Sequence, residues 1–192
     1  MKYKNIKELV IKTRTFRRFI QKARIGRSTL RDLVDLGRLS ASGGNLQPLK
    51  YYLSADQKLN ALIFPCLKWA GYLKDWPGPS EGERPSAYII ILGDTTISKG
   101  FGCDYGIAAQ SIMLGATESG LGGCIIGSID RTLLRKALKI SNRYEILLVL
   151  ALGKPKEKVL LESVRNGNIK YWRDSKGKHH VPKRSLNEII VK

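Results

Sequence analysis

Histidine is almost missing from this sequence. There are two, His179 and His180, side by side near the C-terminal end. Serine–histidine–aspartate and cysteine–histidine catalysis both need a placed imidazole, so that chemistry has little support. Cysteine is scarce as well. Cys66, Cys103 and Cys124 are odd in number and show no C-x-x-C spacing, so they read as reduced, mostly buried small hydrophobes and not as a disulfide framework. Scattered thiols and one histidine pair offer no metal-ligand spacing, and no metal is expected. Long apolar runs are absent too, none reaching the ~18 residues of a membrane span. The opening Met1-Lys2-Tyr3-Lys4-Asn5 has no apolar stretch of the kind a secretory signal carries. The expectation is a cytoplasmic protein without a membrane segment.

Acidic residues are outnumbered: 16 Asp and Glu face 34 Lys and Arg, for a net charge of +18. The excess is not spread evenly. Residues 1–31 hold eleven basic residues and one acid, Glu8, and residues 154–192 hold eleven and four. The span between them is close to neutral. Two basic ends around a neutral body fit a phosphate-bearing ligand gathered by both termini, or a nucleic-acid surface. Aromatics are few in those ends (Tyr3, Phe16, Phe19, Tyr171, Trp172), and no recognisable nucleic-acid-binding motif is present. Nucleic acid is therefore the weaker partner.

The 192 residues suit one domain spanning 1–192. Short helices are expected over 5–12 and 56–68, and Thr29 to Asp32 reads as a capping box opening a helix to about residue 40. Gln47 precedes Pro48 and should be extended. Strands are expected at Leu49–Ser54, Ala87–Leu92, Cys124–Ile129 and Ile146–Leu152, with a basic helix over Thr132–Ile140. Asp104 can cap a helix to Ser119 whose only strongly polar side chain from Tyr105 to Thr117 is Gln110. A helix apolar all round is buried on all sides, in a core or at a subunit interface. Residues 71–85 hold Gly71, Pro77, Gly78, Pro79, Gly82 and Pro85 and form a long loop; Trp69, Tyr72 and Trp76 there could line a substrate face. The tail, 166–192, has a strand-like Ile169–Trp172, a Gly177 turn and no core of its own. It must lie on this chain or on another. Interleaved helices and buried strands indicate an α/β or α+β layered domain.

Four segments bear chemistry-capable residues. Thr13-Arg14-Thr15-Phe16-Arg17-Arg18-Phe19 brings guanidinium forks and hydroxyls suited to phosphate oxygens. Ser40-Ala41-Ser42-Gly43-Gly44-Asn45-Leu46-Gln47-Pro48 combines glycines that permit close backbone approach with two side-chain amides. Gly120-Leu121-Gly122-Gly123-Cys124-Ile125-Ile126-Gly127 is not a dinucleotide fingerprint: Ile125 stands where the third glycine would fall, and the segment leads from a helix into a strand. Val181-Pro182-Lys183-Arg184-Ser185 is a second basic cluster. Each alone also fits an ordinary solvated or turning segment.

Taken in order, these segments resemble the nitroreductase family. Residues 13–19 are similar to its Arg-Arg-Ser-x-Arg-x-Phe opening, and Ala41–Pro48 to its Pro-Ser-x-x-Asn-x-Gln-Pro loop. Asp104–Gln110 resembles its Asp-x-Gly-x-Ala-x-Gln helix, Gly120–Gly127 its glycine-rich strand, and Ala151-Leu152-Gly153-Lys154-Pro155 its Ala-Leu-Gly-x-Pro ending. Three positions depart: Thr13 stands for the first arginine, Ala41 for the loop proline, and Leu49 for a frequent tryptophan.

The resemblance implies an α+β fold with a central mixed or antiparallel sheet flanked by helices, dimeric with exchanged C-terminal tails. It implies FMN as cofactor and NADH or NADPH as electron donor, with turnover alternating between donor and a nitroaromatic, quinone or similar small acceptor. Enone reduction, dehalogenation or flavin modification on the same fold stay open. Arg14 and Thr15 would hold the FMN phosphate, with Lys183 and Arg184 closing on it. Arg17 would sit at the N1 and C2-carbonyl edge, where negative charge builds on reduction. Ser42, Gly43, Asn45 and Gln47 would cover the flavin from the other subunit of a homodimer. The backbone around Ile126 and Gly127 would meet flavin N5. No side chain is cast as acid, base or nucleophile.

Overall fold

The computed structural model describes residues 5–191. Four strands, β1 (Leu49–Ser54), β2 (Ala87–Asp94), β3 (Gly122–Ile126) and β4 (Tyr144–Gly153), form one sheet in the order β1-β2-β4-β3. Every neighbouring pair in it is antiparallel. The rung Tyr52–Ile90–Val149–Ile126 crosses the whole sheet.

All eight residues of β2 are buried, which explains its unbroken apolar sequence. Side chains alternate between two cores. On one face Ile89, Ile91, Leu150 and Leu152 meet Leu30 and Leu33 of α2 (Arg27–Arg38) and Ala109, Ile112 and Met113 of α4 (Asp104–Glu118). On the other, Tyr88, Ile90, Val149 and Ala151 meet Ile63 of α3 (Gln57–Ile63) and Leu134 and Leu138 of α5 (Arg131–Leu138). The short α1 (Ile6–Lys12) lies beside α4.

The long connection after α3 carries no regular element beyond a 3-10 turn at Phe64–Cys66, where Pro65 stops the helix short of the expected residue 68. Trp69 lies tilted against Phe64 at 5.8 Å between ring centroids and packs, partly buried, against the second core. Trp76 sits under Arg173, and only Tyr72 reaches the tail aromatic Tyr171, at 4.9 Å.

Other expectations are corrected at element ends. α2 begins at Arg27, because Leu30 N–H already bonds to Gly26 C=O at 3.3 Å; Thr29 lies inside the first turn and is no cap. Gln47 is left-handed, with φ +51°, and not extended. The tight turn around Asn45 (φ +55°) requires it: Gln47 N–H donates to Ser42 Oγ at 2.9 Å and its Nε2 to Asn45 C=O at 3.2 Å. Asp104 is the first residue of α4, not its cap, and its carboxylate points across to another segment.

α4 is not buried on all sides. Asp104, Ala108, Ile112, Met113 and Ala116 face the core, while Cys103, Gly106, Ile107 and Gln110 are exposed along the other side. A Cβ on Gly106 would meet nothing within 4 Å.

The tail makes a second small sheet of β5 (Val159–Ser163), β6 (Trp172–Arg173) and β7 (His179–Lys183), ordered β5-β7-β6. β5 and β7 run parallel, β6 and β7 antiparallel. The strand expected at Ile169–Trp172 falls at Trp172–Arg173. Within this chain the small sheet lies on residues 17–18: Glu157, just before β5, accepts the backbone N–H groups of Arg17 and Arg18 and binds the Arg173 guanidinium at 3.0 Å. A final turn, α6 (Leu186–Ile189), leads out with its apolar side chains exposed.

Candidate cofactor site

Residues 13–19 run along the open edge of β3. Thr15 bridges Gly123, and Phe16 N–H donates to Gly123 C=O at 2.8 Å. Gly122 makes this approach possible: a Cβ there would fall 2.5 Å from the Phe16 ring. A Cβ on Gly123 would fall 2.6 Å from Ala151 C=O, so that glycine serves close packing on β4. The glycines of this motif thus seat neighbouring protein and not a pyrophosphate.

Side chains of that segment then sort by position. Phe19 is fully buried against Gly153. Arg18 turns away to form a two-pronged pair with Glu83, which Lys156 joins at 2.8 Å; these partners hold the Glu83 carboxyl down at about 2. Thr13, the departure from the family pattern, is buried, with its Oγ1 on Leu9 C=O (2.8 Å) and Thr117 Oγ1 (3.0 Å). Its hydroxyl knits α1 to α4.

Arg14, Thr15 and Arg17 open, beside Thr13, onto a cavity of about 330 Å³. Gln110 and Met113 of α4 contribute to its wall, with Ile125 of β3, and Tyr171, His179, Val181 and Lys183 of the tail. His179, Val181 and Lys183 are alternate residues on one face of β7. The N-terminal and C-terminal basic segments therefore meet at one place, as their charge suggested.

Arg14, Arg17 and Lys183 give this lining three cations, and it contains no carboxylate. Arg14 Nη2 donates to Val10 C=O at 2.6 Å, but its Nε is buried without a partner, and burial depresses the Arg14 pKa. Arg17 Nη1 donates to His179 Nε2 at 3.1 Å, and its guanidinium lies 4.6 Å over the Tyr171 ring. His179 is buried, and its Nδ1 also lacks a partner. Burial, with the neighbouring charges of Arg17, Arg173 and His180, pushes its pKa down to about 4, so it is neutral near pH 7. Uncompensated cations and orphaned donors in a cavity of ligand size are what an anionic, acceptor-rich group such as FMN would complete.

Not every predicted residue joins them. Ser42 and Gly43 dock on Asp104: Ser42 Oγ donates at 2.6 Å and Gly43 N–H at 2.9 Å. That is α4's first turn, about 9 Å along the helix from Gln110 at ~1.5 Å per residue. Asn45 and Gln47 are exposed in the same loop. Within one chain this loop does not line the cavity. Ile126 faces the second core, and its neighbour Ile125 faces the cavity instead. Gly127 follows the strand, its C=O 3.4 Å from Arg131 Nη2. Arg184 is paired with Glu188 at 3.5 Å, outside the cavity.

Sequence reasoning missed Tyr171, Ile125 and His179. For His179 the signal would have been a strand over 179–183, which the sequence reading did not assign: with Lys183 at the site, residues 181 and 179 would then follow on the same face. His180 looks the other way. Its ring nitrogens contact Glu162 (2.5 Å) and Asp174 (3.2 Å), and it stacks on Trp172 at 4.1 Å. Among the described residues no group of histidine, cysteine and carboxylate side chains could hold a metal ion.

Comparison with known proteins follows this geometry. Residues 95–154, from the end of β2 to the end of β4, match the nitroreductase family model. The chain superposes on a nitroreductase family protein from Streptococcus pneumoniae TIGR4 with TM-score 0.69 and 19% identity, covering 98% of this chain and 100% of that one. A nitroreductase family protein from Clostridium novyi NT is similar at 25% identity and TM-score 0.66, over 79% of this chain and 86% of its own. The NADPH:FMN oxidoreductase from Vibrio harveyi complexed with NAD+ is similar at 20% identity and TM-score 0.61, over 78% and 68%. No curated protein sequence matches significantly. The chain has the nitroreductase fold and carries nitroreductase-family sequence across its α4–β3–α5–β4 segment. The arginine segment, the 42–47 loop and the tail lie outside that match.

Proposed function

We propose that this chain, nitroreductase-like in fold and in residues 95–154, is an FMN-dependent oxidoreductase that moves hydride from NADH or NADPH to a small acceptor such as a nitroaromatic or quinone. The observation that carries the reading is the cavity where Arg14, Arg17 and Lys183 converge with no carboxylate and with Arg14 Nε unpartnered. A phosphate-bearing ligand supplies the missing negative charge and acceptors. The name of the similar Vibrio harveyi protein, which couples NADPH and FMN, points the same way.

In this reading Arg14, Thr15 and Lys183 hold the phosphate, and Arg184 swings in from its exposed pair with Glu188. Bound FMN supplies the two-electron hydride chemistry. Arg17 keeps a fixed positive charge beside the pyrimidine edge, where electron density rises on reduction. The Ile126–Gly127 backbone would meet the flavin's reactive side. No protein acid or base is needed.

A homodimer completes the site. The exposed strip of α4 at Gly106 and Ile107 is apolar, and Leu36 and Leu39 at the end of α2 are exposed as well. The outer edge of β1 is unpaired, and Leu186, Ile189, Ile190 and Val191 in the tail are exposed. A second chain packed on α4, with only the segments beyond β7 exchanged, covers these surfaces and brings its Ser42, Gly43, Asn45 and Gln47 over the first chain's flavin. No described helix is long and apolar enough to cross a membrane, and the protein is proposed to work in the cytoplasm.

The test is reconstitution. Purified protein should bind FMN stoichiometrically, turn yellow, and bleach anaerobically with NADH or NADPH. Donor and acceptor using one flavin face should give parallel initial-rate plots. A colourless protein that takes up no FMN overturns the reading.

A further inference from the structure

Arg17 has an unusual partner. A guanidinium this enclosed commonly pairs with a carboxylate, as Arg18 does with Glu83 and Arg173 with Glu157. Arg17 has instead a neutral imidazole at 3.1 Å and an aromatic ring at 4.6 Å, His179 and Tyr171, both from the tail. The two rings support each other, with centroids 5.2 Å apart.

The hydrogen bond fixes the chemistry of the histidine. A guanidinium can only donate, so His179 Nε2 must be the acceptor and carry no proton. The neutral ring then holds its proton on Nδ1, the atom left buried without a partner. Burial and the surrounding cations Arg17, Arg173 and His180 all oppose protonation. A carboxylate at this position would orient Arg17 equally well but would cancel its charge. A neutral acceptor orients the guanidinium and leaves the charge intact.

We infer that His179 is a positioning residue of the flavin site: as the neutral Nδ1–H imidazole it holds the Arg17 guanidinium in place as an uncompensated cation beside the cofactor. The inference rests on the FMN reading above for its functional consequence, and on the Arg17–His179 geometry for its structure. It makes strand β7 a determinant of flavin potential as well as of phosphate binding. His179 touches no reacting atom in this assignment and acts through Arg17.

Two measurements test it. The first uses unaltered protein: nitrogen-15 NMR of the histidine rings at about pH 7. His179 should show a protonated Nδ1 and an unprotonated, hydrogen-bonded Nε2, and Arg17→Gln should shift the Nε2 signal. An imidazolium, or a ring protonated on Nε2, overturns the proposal. The second compares His179→Leu with His179→Gln, whose side-chain oxygen can still accept from a guanidinium. In His179→Leu the affinity for reduced FMN should fall about tenfold more than that for oxidised FMN, a drop in midpoint potential of about 30 mV. His179→Gln should recover most of it. A purely structural histidine would lower the melting temperature and leave the potential of bound flavin where it was, and that result also overturns the proposal. If His179→Leu does not fold, the ring tautomer in the unaltered protein decides. If the protein takes no flavin, the FMN reading fails, while the NMR result still settles the Arg17–His179 pairing.

Discussion

Asp104 and Ser42 are 62 positions apart in the chain and joined at 2.6 Å, Ser42 Oγ donating to Asp104 Oδ2. The other carboxylate oxygen takes Gly43 N–H at 2.9 Å. One buried acid at the start of α4 thus fixes the loop that leads into β1. The same Ser42 Oγ accepts from Gln47 N–H, so the clamp closes both ends of the turn.

Replacing Asp104 with alanine leaves the Ser42 hydroxyl and the Gly43 amide without their acceptor. A hydrogen bond to a charged group contributes ~1.5–3 kcal/mol, and Asp104→Ala should lower unfolding stability by about that much in a denaturant titration. If the loop also covers a partner's flavin, FMN affinity drops in parallel. An unchanged midpoint with unchanged affinity would mean that the clamp is incidental.

Arg14→Ala and Arg17→Ala should each weaken FMN retention, by a comparable ~1.5–3 kcal/mol per lost charge-assisted contact. Arg17→Gln should in addition lower the flavin midpoint potential, by ~30 mV for each ~1.4 kcal/mol of differential stabilisation. Equilibrium dialysis and spectroelectrochemistry give the two numbers. Full occupancy in the double variant Arg14→Ala/Arg17→Ala would refute the site.

The adjacent histidines should tilt the stability curve in opposite directions. His180 bonds to Glu162 and Asp174, chiefly to Glu162, and its pKa is raised in the folded chain. Its contribution is complete below the ordinary value of ~6.5 and is lost as pH climbs through the raised folded value. His179 is depressed to about 4. The unfolded chain takes up that proton from ~6.5 downward while the native chain resists, so stability falls as pH drops across this window. Melting temperature against pH should flatten above ~6.5 in His180→Asn and between ~4 and ~6.5 in His179→Asn. Identical slopes in both variants and the parent would disprove the opposed roles.

Gly123→Ala forces a Cβ to 2.6 Å from Ala151 C=O and 2.8 Å from Leu152 Cδ2. Overpacking of this kind costs ~1–3 kcal/mol. It should also shift Thr15, which bridges Gly123, and Phe16, whose N–H donates to Gly123 C=O, and so disturb Arg14 and Arg17. Gly127→Ala is the control, because its Cβ meets Leu148 at an ordinary 3.8 Å. Equal melting temperatures for the two variants would show that the strand yields more than this geometry allows.

Light scattering at micromolar concentration should return about twice the 21.5 kDa chain mass. Obligate homodimers commonly bury more than ~2,000 Å². Ile107→Glu, on the open strip of α4, should shift the population to single chains and release flavin. A flavin-loaded single chain would sink both the dimer and the placing of Asn45 over a neighbour's site.

How much of this could be read from residues alone varied with what decides each feature. β2 and β4 were legible because burial on both faces leaves an unbroken apolar run, Ala87–Leu92 and Ile146–Leu152. That the two basic ends would meet could be anticipated from their charge, but the choice of Arg14, Thr15, Arg17 and Lys183 came from the family resemblance, and these four do line one cavity. Helix starts were not: Thr29 looked like a cap, yet Gly26 closes the turn first. Gln47 was misread because the rule for residues before proline concerns local sterics, while the Ser42–Asp104 clamp is tertiary. Asp104 looked like a local cap for the same reason. His179 was passed over because two histidines in a polar tail look idle until strand alternation sends them to opposite faces of β7, one to the cavity and one to Glu162 and Asp174.

Gly106 has a further consequence. A glycine inside a helix is worth up to about 1 kcal/mol less than alanine, and here a methyl group would strike nothing within 4 Å. A solitary chain would melt at a higher temperature with alanine at this position. A bare backbone helps only something that must come closer than a methyl group permits, as when two helices cross. Gly106→Ala should therefore divide two properties that usually travel together, toughening each chain while loosening the pair. On the proposed dimer, the residue at this point in α4 answers to the assembly and not to the fold of the chain that carries it.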